Sequence, residues 1–372
     1  MWNQCKLFIL LVLMSALCIS CHQLFDKPGV NYQYSIPDSL NDGLEVSSIE
    51  KEGLKKEYIV QMTNQIITDE YKNIHSVVVV KNNKLVYENY FNGYDREILH
   101  NLYSASKSFT SALVGIAIDN GFIPDTNAKV LPYFPEYTPV ENNNSEKQGI
   151  TIRHLLTMSS GLACDDWNES SPGRENNLYK QKDILKYLWN LPLITSPGSN
   201  PSYCSGGAIT LSNIISKSTG QNYTDFAKAT ILDPLGITKY DWNYREKNRH
   251  DRPDQIYLRP RDMAKFGMVY LNGGKWKNRQ IIPKLWVDAS LQPKVKLGGL
   301  DYGFLWWMHP GTINGKQTYV YNASGNGGQF IFVIPELNMV VAMTGGNLDS
   351  SYTNQGLSIL FNYIIPANIY KP

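Results

Sequence analysis

Ser104 and Lys107 stand three residues apart at the start of an apolar run, in the stretch "NLYSASKSFTSALVGIAIDNG" from Asn101 to Gly121. At that spacing two side chains share one side of a helix, close enough for one to act on the other's proton. A serine that opens a helix is ordinarily followed three residues later by Glu or Gln, and the positive end of the helix dipole disfavours a cation there. Phe109, Ala112, Leu113, Val114, Ile116, Ala117 and Ile118 make the run apolar on nearly every face, which predicts a buried helix. Burial and the helix terminus both act against an ammonium group, so Lys107 is poised to take a proton from Ser104, by itself a weak nucleophile. Spacing alone does not decide this. "SIEK", Ser48 to Lys51, repeats the pattern in a charged stretch that reads as a solvated helix face, and Ser104 alone reads equally as an N-cap beside a snorkelling lysine.

The elements that must hold this pair are legible in outline. A charged helical stretch runs from about Ser47 to Tyr71, and "HSVVVVKNNKLVYENYF" gives two β-rich runs around Asn82 and Asn83, a hairpin pattern. From Phe122 to about Tyr257 the pattern is helical, broken by Pro and Gly. Strand-like runs return in "YGFLWWM", "GQFIFVIP" and "MVVAMTGG", before a closing helical stretch from Tyr352 to Ile364. Strands at both ends with helices between them predict an α+β fold. A mainly antiparallel sheet flanked by helices would carry an inserted all-helical lobe at about 122–257, and a cleft would lie at the seam.

The 372 residues carry 35 basic and 33 acidic side chains without long runs of either, which excludes an electrostatic footprint for nucleic acid. Lys6 before "LFILLVLMSALCIS" reads as a signal peptide over residues 1–20, too short for a secure membrane span. The run ends at Cys21, in the manner of a bacterial lipoprotein box in which that cysteine becomes the lipidated first residue. Residues 21–45 then read as a tether and 46–372 as the folded catalytic body. The expected setting is an exported protein held to a bacterial membrane through Cys21, facing the periplasm or the cell exterior, with an ordinary secreted protein and an uncleaved anchor as the alternatives. Cys164 and Cys204 would remain in an oxidising compartment, where a disulfide and two buried free thiols are equal expectations. The six histidines show no metal spacing, so neither a metal nor a cofactor is expected. The oligomeric state is not readable.

Three stretches in order, "SASK" opening an apolar helix, "YCS" about a hundred residues later and "ASGNGGQ" before a late strand, resemble the serine beta-lactamase and penicillin-binding-protein superfamily. The look is closest to class C beta-lactamases and to their family VIII-type esterase and 6-aminohexanoate-oligomer hydrolase relatives. "LLTMSSGL", "DPLGI", "PRDMAKFG" and "FVIPELNMVV" extend the resemblance over most of the chain from about residue 70.

The resemblance implies that Ser104 is the acyl-accepting nucleophile, Lys107 its proton partner and Tyr203 the second-motif tyrosine, base for Ser104 and acid for the leaving group. The assignment of the base between Lys107 and Tyr203 stays open. Ser205 stands where class C enzymes usually carry asparagine. The third motif, usually "KTG", corresponds to Ala323, Ser324 and Gly325, or in a shifted register to Asn326, Gly327 and Gly328, and neither supplies a cation. That loss disfavours substrates held by a carboxylate and favours other esters or amides. The N–H groups of Ser104 and Asn326 are the expected oxyanion hole, with Ser205, Ser324, Gly325, Gly327, Gly328 and Trp306 as substrate-binding positions. Trp307, Tyr302, Trp167 and Trp242 are further candidates for pocket lining. The implied activity is serine acyl hydrolysis of a small ester or amide. Its rivals are acyl transfer to an alcohol or amine, and a non-catalytic ligand-binding or sensor relative.

Overall fold

A computed structural model describes residues 31–138, 140–242 and 255–368, and Gln33–Pro372 form one compact unit. The leader, Cys21 and the first part of the tether lie outside the described residues. From Tyr34 onward the stretch read as tether is bound to the body: Tyr34 Oη donates to Val86 O (2.9 Å), Asp38 meets Arg96 (2.7 Å) and Asp42 meets Arg261 (2.8 Å). A polar, aperiodic composition conceals such side-chain anchors from a reading by hydrophobic pattern.

Strand β1 (Glu45–Val46) runs parallel to the hairpin strand β3 (Lys84–Tyr90), which pairs with β2 (Ile74–Lys81). Asn82 and Asn83 both take positive φ, 52° and 62°, the conformation a two-residue hairpin turn needs. The charged stretch before it is helical only over α1 (Lys56–Ile67), and Ser48–Lys51 lies in turns ahead of it.

The remaining strands are β4 (His100–Asn101), β5 (Tyr240–Trp242), β6 (Ile256–Leu258), β7 (Lys275–Trp276), β8 (Arg279–Gln280), β9 (Val295–Leu297), β10 (Leu300–Tyr302), β11 (Trp307–Ile313), β12 (Lys316–Gly325), β13 (Gln329–Ile334) and β14 (Met339–Gly345). The main sheet has nine strands in the order β1-β3-β2-β14-β13-β12-β11-β10-β9, antiparallel except for β1. Val80 faces Val340 across the β2–β14 pair, so the two ends of the chain close one sheet.

Both faces of that sheet are covered, which is why its central strands read as continuous apolar runs rather than alternating ones. Val78, Val80, Ile331, Val333, Val340 and Ala342 belong to the main core with helices α2 (Ser106–Asp119) and α4 (Pro260–Leu271). Gly267 of α4 allows that approach, because a Cβ there would fall 2.5 Å from Val340 Cγ1. Phe109 of α2 stacks on Phe266 of α4 with ring centroids 3.6 Å apart. On the opposite face Thr63 of α1 bonds Tyr87 of β3 (2.7 Å), and Gly356, in the helical turn Gln355–Ile359, lies against Phe330.

Between the two sets of strands lie short helices and α3 (Ser205–Thr219), which packs on α2 and ends at Gly220 in the left-handed conformation. This middle segment is not wholly helical: β5 and β6 pair with β4 in a separate three-stranded sheet. Strands of two or three residues are too short to show a period. Among the described residues no helix is long and apolar enough to cross a membrane.

Candidate active site

The approach to Ser104 is built from backbone. β4 pairs with β6, and Leu102 N–H donates to Ile256 O (2.9 Å). Tyr103 then takes φ +45°, a left-handed conformation that costs a non-glycine residue on the order of 1 kcal/mol, with its N–H held by Asn101 Oδ1 (2.9 Å). Tyr103–Ala105 form one tight 3-10 turn and α2 starts at Ser106. Ser104 therefore stands ahead of the helix and does not cap it, a correction to the N-cap reading. Its hydroxyl meets Lys107 instead: Nζ donates to Oγ at 2.9 Å, and Lys107 is 2% exposed.

Tyr203 closes the other side. Lys107 Nζ stands 5.2 Å from its ring centroid, and the ring is buried. Tyr203 stands one residue ahead of Cys204, the N-cap of α3, which offers no side-chain cap. That cap comes from a distant loop, where Asp166 Oδ2 accepts the Ser205 N–H (2.7 Å) and Asp166 N–H donates to Tyr203 O (2.7 Å). A disulfide between Cys164 and Cys204 fastens the same two segments, with Cα atoms 5.4 Å apart. Burial raises the Asp166 carboxyl above the ordinary aspartate range, while the charge of Lys107 opposes the rise.

The third wall is the end of β12. Gly325 packs so closely on the nucleophile turn that a Cβ there would fall 2.1 Å from Leu102 O and 3.2 Å from Ala105 N. Any side chain would push the strand away from Ser104. Ser324, Gly325 and Asn326 line the cleft with Ser104, Tyr203 and Ser205, while Ala323 faces the core. Each register thus reaches the cleft in part, the first through Ser324 and Gly325 and the shifted one through Asn326, and neither brings a cation. Asn326 is fixed through its side chain, with Nδ2 donating to Asp349 Oδ1 (2.7 Å) and Oδ1 accepting the Asp349 N–H (3.0 Å).

Three expected positions lie elsewhere. Gly327 and Gly328 are not in the lining: they form the β12–β13 turn at φ +83° and +94°, and Gly327 bridges to Asn347. Trp306 is 0% exposed and packs against Tyr270 and Phe266 in the core. Its neighbour Trp307 lines the cleft, because adjacent residues entering a strand point to opposite faces. Tyr302 and Trp242 are likewise buried.

The cleft holds about 530 Å³. Trp167, Tyr203 and Trp307 present three nearly parallel rings with centroids 5.1 to 6.1 Å apart. Asp166, Glu175, His309 and Asn322 also line it, and sequence reasoning had not found them. Burial keeps the His309 imidazole below its usual pKa. Asp166 had one available signal: had Cys164 been taken as bonded to Cys204, the residue two beyond Cys164 would have been brought to Tyr203. Among the described residues no group of three or more His, Cys, Asp or Glu is placed to hold a metal ion.

A family model described as Beta-lactamase matches residues 71–349. Penicillin-binding protein 4* of Bacillus subtilis (strain 168) is 30% identical over 182 residues, covering 46% of this chain and 35% of that protein. The chain thus spans well under half the length of this curated relative. Two solved structures share the fold: a family VIII carboxylesterase (TM-score 0.66, 16% identity, covering 89% of this chain and 99% of that one) and the octameric penicillin-binding protein homologue from Pyrococcus abyssi (TM-score 0.60, 20% identity, covering 85% and 78%).

Proposed function

The chain belongs to the beta-lactamase family, and from that premise we propose that it is a serine acyl-hydrolase acting on esters or amides through an acyl group carried on Ser104. The observation that carries this reading is the 2.9 Å bond from Lys107 Nζ to Ser104 Oγ inside a cleft that Tyr203 also lines. Ser104 Oγ attacks the carbonyl carbon, and its proton passes to Lys107 or Tyr203. The carbonyl oxygen, now negative, is held by the N–H groups of Ser104 and Asn326, which the contact of Gly325 with the nucleophile turn supports. The leaving group departs with the transferred proton, and water then attacks the acyl-enzyme to release the acid and restore the serine.

Charge narrows the substrate. Asp166, Glu175 and Asp349 line the cleft, and no lysine or arginine is among the lining residues. A free carboxylate on the substrate meets like charge there, so the favoured donors are uncharged esters or amides. Steady-state kinetics on a panel of p-nitrophenyl esters, anilides and lactams tests this: turnover of neutral esters supports the reading, and no turnover anywhere on the panel overturns it.

Acyl transfer is a second reading, favoured by the three aromatic rings around the nucleophile, which disfavour water beside the acyl group. Methanol added to the ester assay separates the two, since a methyl ester product marks transfer and free acid alone marks hydrolysis. Export and a lipid anchor at Cys21 belong to the same proposal and rest on the N-terminal sequence. Cys21→Ser is expected to move the protein from the detergent phase to the aqueous phase.

A further inference from the structure

We propose that Asp166 is a positioning residue of this site: its carboxylate clamps the Tyr203–Ser205 segment and, as a charge in the wall of the cleft that holds Ser104, sets the pH at which the proton acceptor of Ser104 works. The inference rests on the hydrolase reading for its kinetic arm alone. Each carboxylate oxygen is engaged by backbone, Oδ2 by the Ser205 N–H and Oδ1 by the Glu175 N–H, both at 2.7 Å. The Asp166 N–H returns a bond to Tyr203 O (2.7 Å), and the Cys164–Cys204 disulfide closes the same loop. Four ties are more than one cap for α3 requires, and they fix a carboxyl group in the lining of the cleft that holds Ser104 and Tyr203.

The charged and titratable groups around it are Lys107 from α2, Glu175 from the helical turn Glu175–Leu178 and Tyr203 ahead of α3. His309 from β11 and Asp349 line the same cleft. Tyr302 of β10 is close enough for Tyr203 to act on its titration. Burial raises the Asp166 carboxyl and the Lys107 ammonium lowers it, so the two groups act on each other.

The sign of the kinetic effect follows from the charge of Asp166. With neutral Lys107 taking the proton, a nearby anion favours its charged form. Asp166 then delays the appearance of the base as pH rises, and removing its charge lets the base appear at lower pH.

The test compares Asp166→Asn with Asp166→Glu, which keeps the charge, and with Asp166→Ser, which keeps an acceptor for the Ser205 N–H should the asparagine variant fold poorly. With p-nitrophenyl acetate, the acid limb of kcat/KM is expected about one pH unit lower in Asp166→Asn and Asp166→Ser and unmoved in Asp166→Glu. A second arm needs no turnover: in a Ser104→Ala background, the pH midpoint for acetic anhydride labelling of Lys107, mapped by peptide mass, is expected to fall by a similar amount on Asp166→Asn. A uniform loss of rate with the limb and midpoint in place shows a merely structural aspartate and overturns the proposal. A shifted labelling midpoint in a protein that turns over no ester upholds Asp166 and retires the hydrolase reading instead.

Discussion

Two lysines in this molecule share a local design and differ in what it does. Lys107 lies in the first turn of one buried helix and Lys265 in the middle of another, each three residues after a polar side chain that accepts a bond from its ammonium group. Lys265 Nζ meets Asp262 Oδ1 at 2.8 Å, both side chains are 0% exposed, and Arg259 Nε takes the other carboxylate oxygen at 2.7 Å. There a charge meets a charge deep in the core, and the ammonium has no substrate to reach. Lys107 meets the neutral hydroxyl of Ser104 at the edge of a cleft. Burial alone does not distinguish the two; the partner and the opening beside it do, and the proposed role of Lys107 rests on them.

Substitution at the two lysines is expected to separate rate from stability. Lys107→Met should lower kcat/KM for a neutral ester by about 10³-fold, with little change in the urea midpoint. Lys265→Met should do the reverse. It leaves a buried carboxylate short of one counter-charge, a loss of about 3–5 kcal/mol in urea unfolding, while the rate per folded molecule stays at the wild-type value. Equal rate losses in both variants would erase the distinction.

The sequence carried the three motif stretches and the closure of the sheet, because both depend on short, strongly patterned stretches. "NN" between β-rich runs made the hairpin legible, and apolar runs at both ends of the chain pointed to one sheet. Faces were harder to assign. "FLWWM" is apolar throughout, so nothing in it says that Trp306 enters the core and Trp307 the cleft. Gly327 and Gly328 serve the turn that follows the motif, where positive φ is required, and not the cleft. Asp166 comes from an aperiodic loop 37 residues before Tyr203 in the sequence, and a long-range bond sets its place.

The disulfide offers a gentler way to sharpen the contrast, since it braces the reactive side alone. Cys164→Ser with Cys204→Ser is expected to cost about 2–4 kcal/mol of stability and to lower kcat/KM by about ten-fold through a looser Tyr203. Urea unfolding and ester kinetics on the double variant, at a temperature where it remains folded, measure both.

The smallest effect comes from histidines away from both lysines. His75 and His100 are buried beside Tyr94, and burial lowers each pKa to about 4 from 6.5. The folded state keeps both neutral, so below pH 6.5 the unfolded chain binds protons first. Their contribution to stability is full above pH 6.5 and is lost as pH falls toward 4, on the order of 1–2 kcal/mol for each histidine by pH 5. Urea midpoints at pH 7 and pH 5 should show the fall, and His100→Phe should flatten it.

Intact mass after brief reaction with a small activated ester, followed by peptide mapping of wild type and Ser104→Ala, reads the difference between the two lysine settings at its source. One acyl group on the peptide that contains Ser104, absent from Ser104→Ala, is the expected result. An adduct that maps elsewhere, or that persists in Ser104→Ala, would contradict the assignment of Ser104 as nucleophile and of Lys107 as its proton partner.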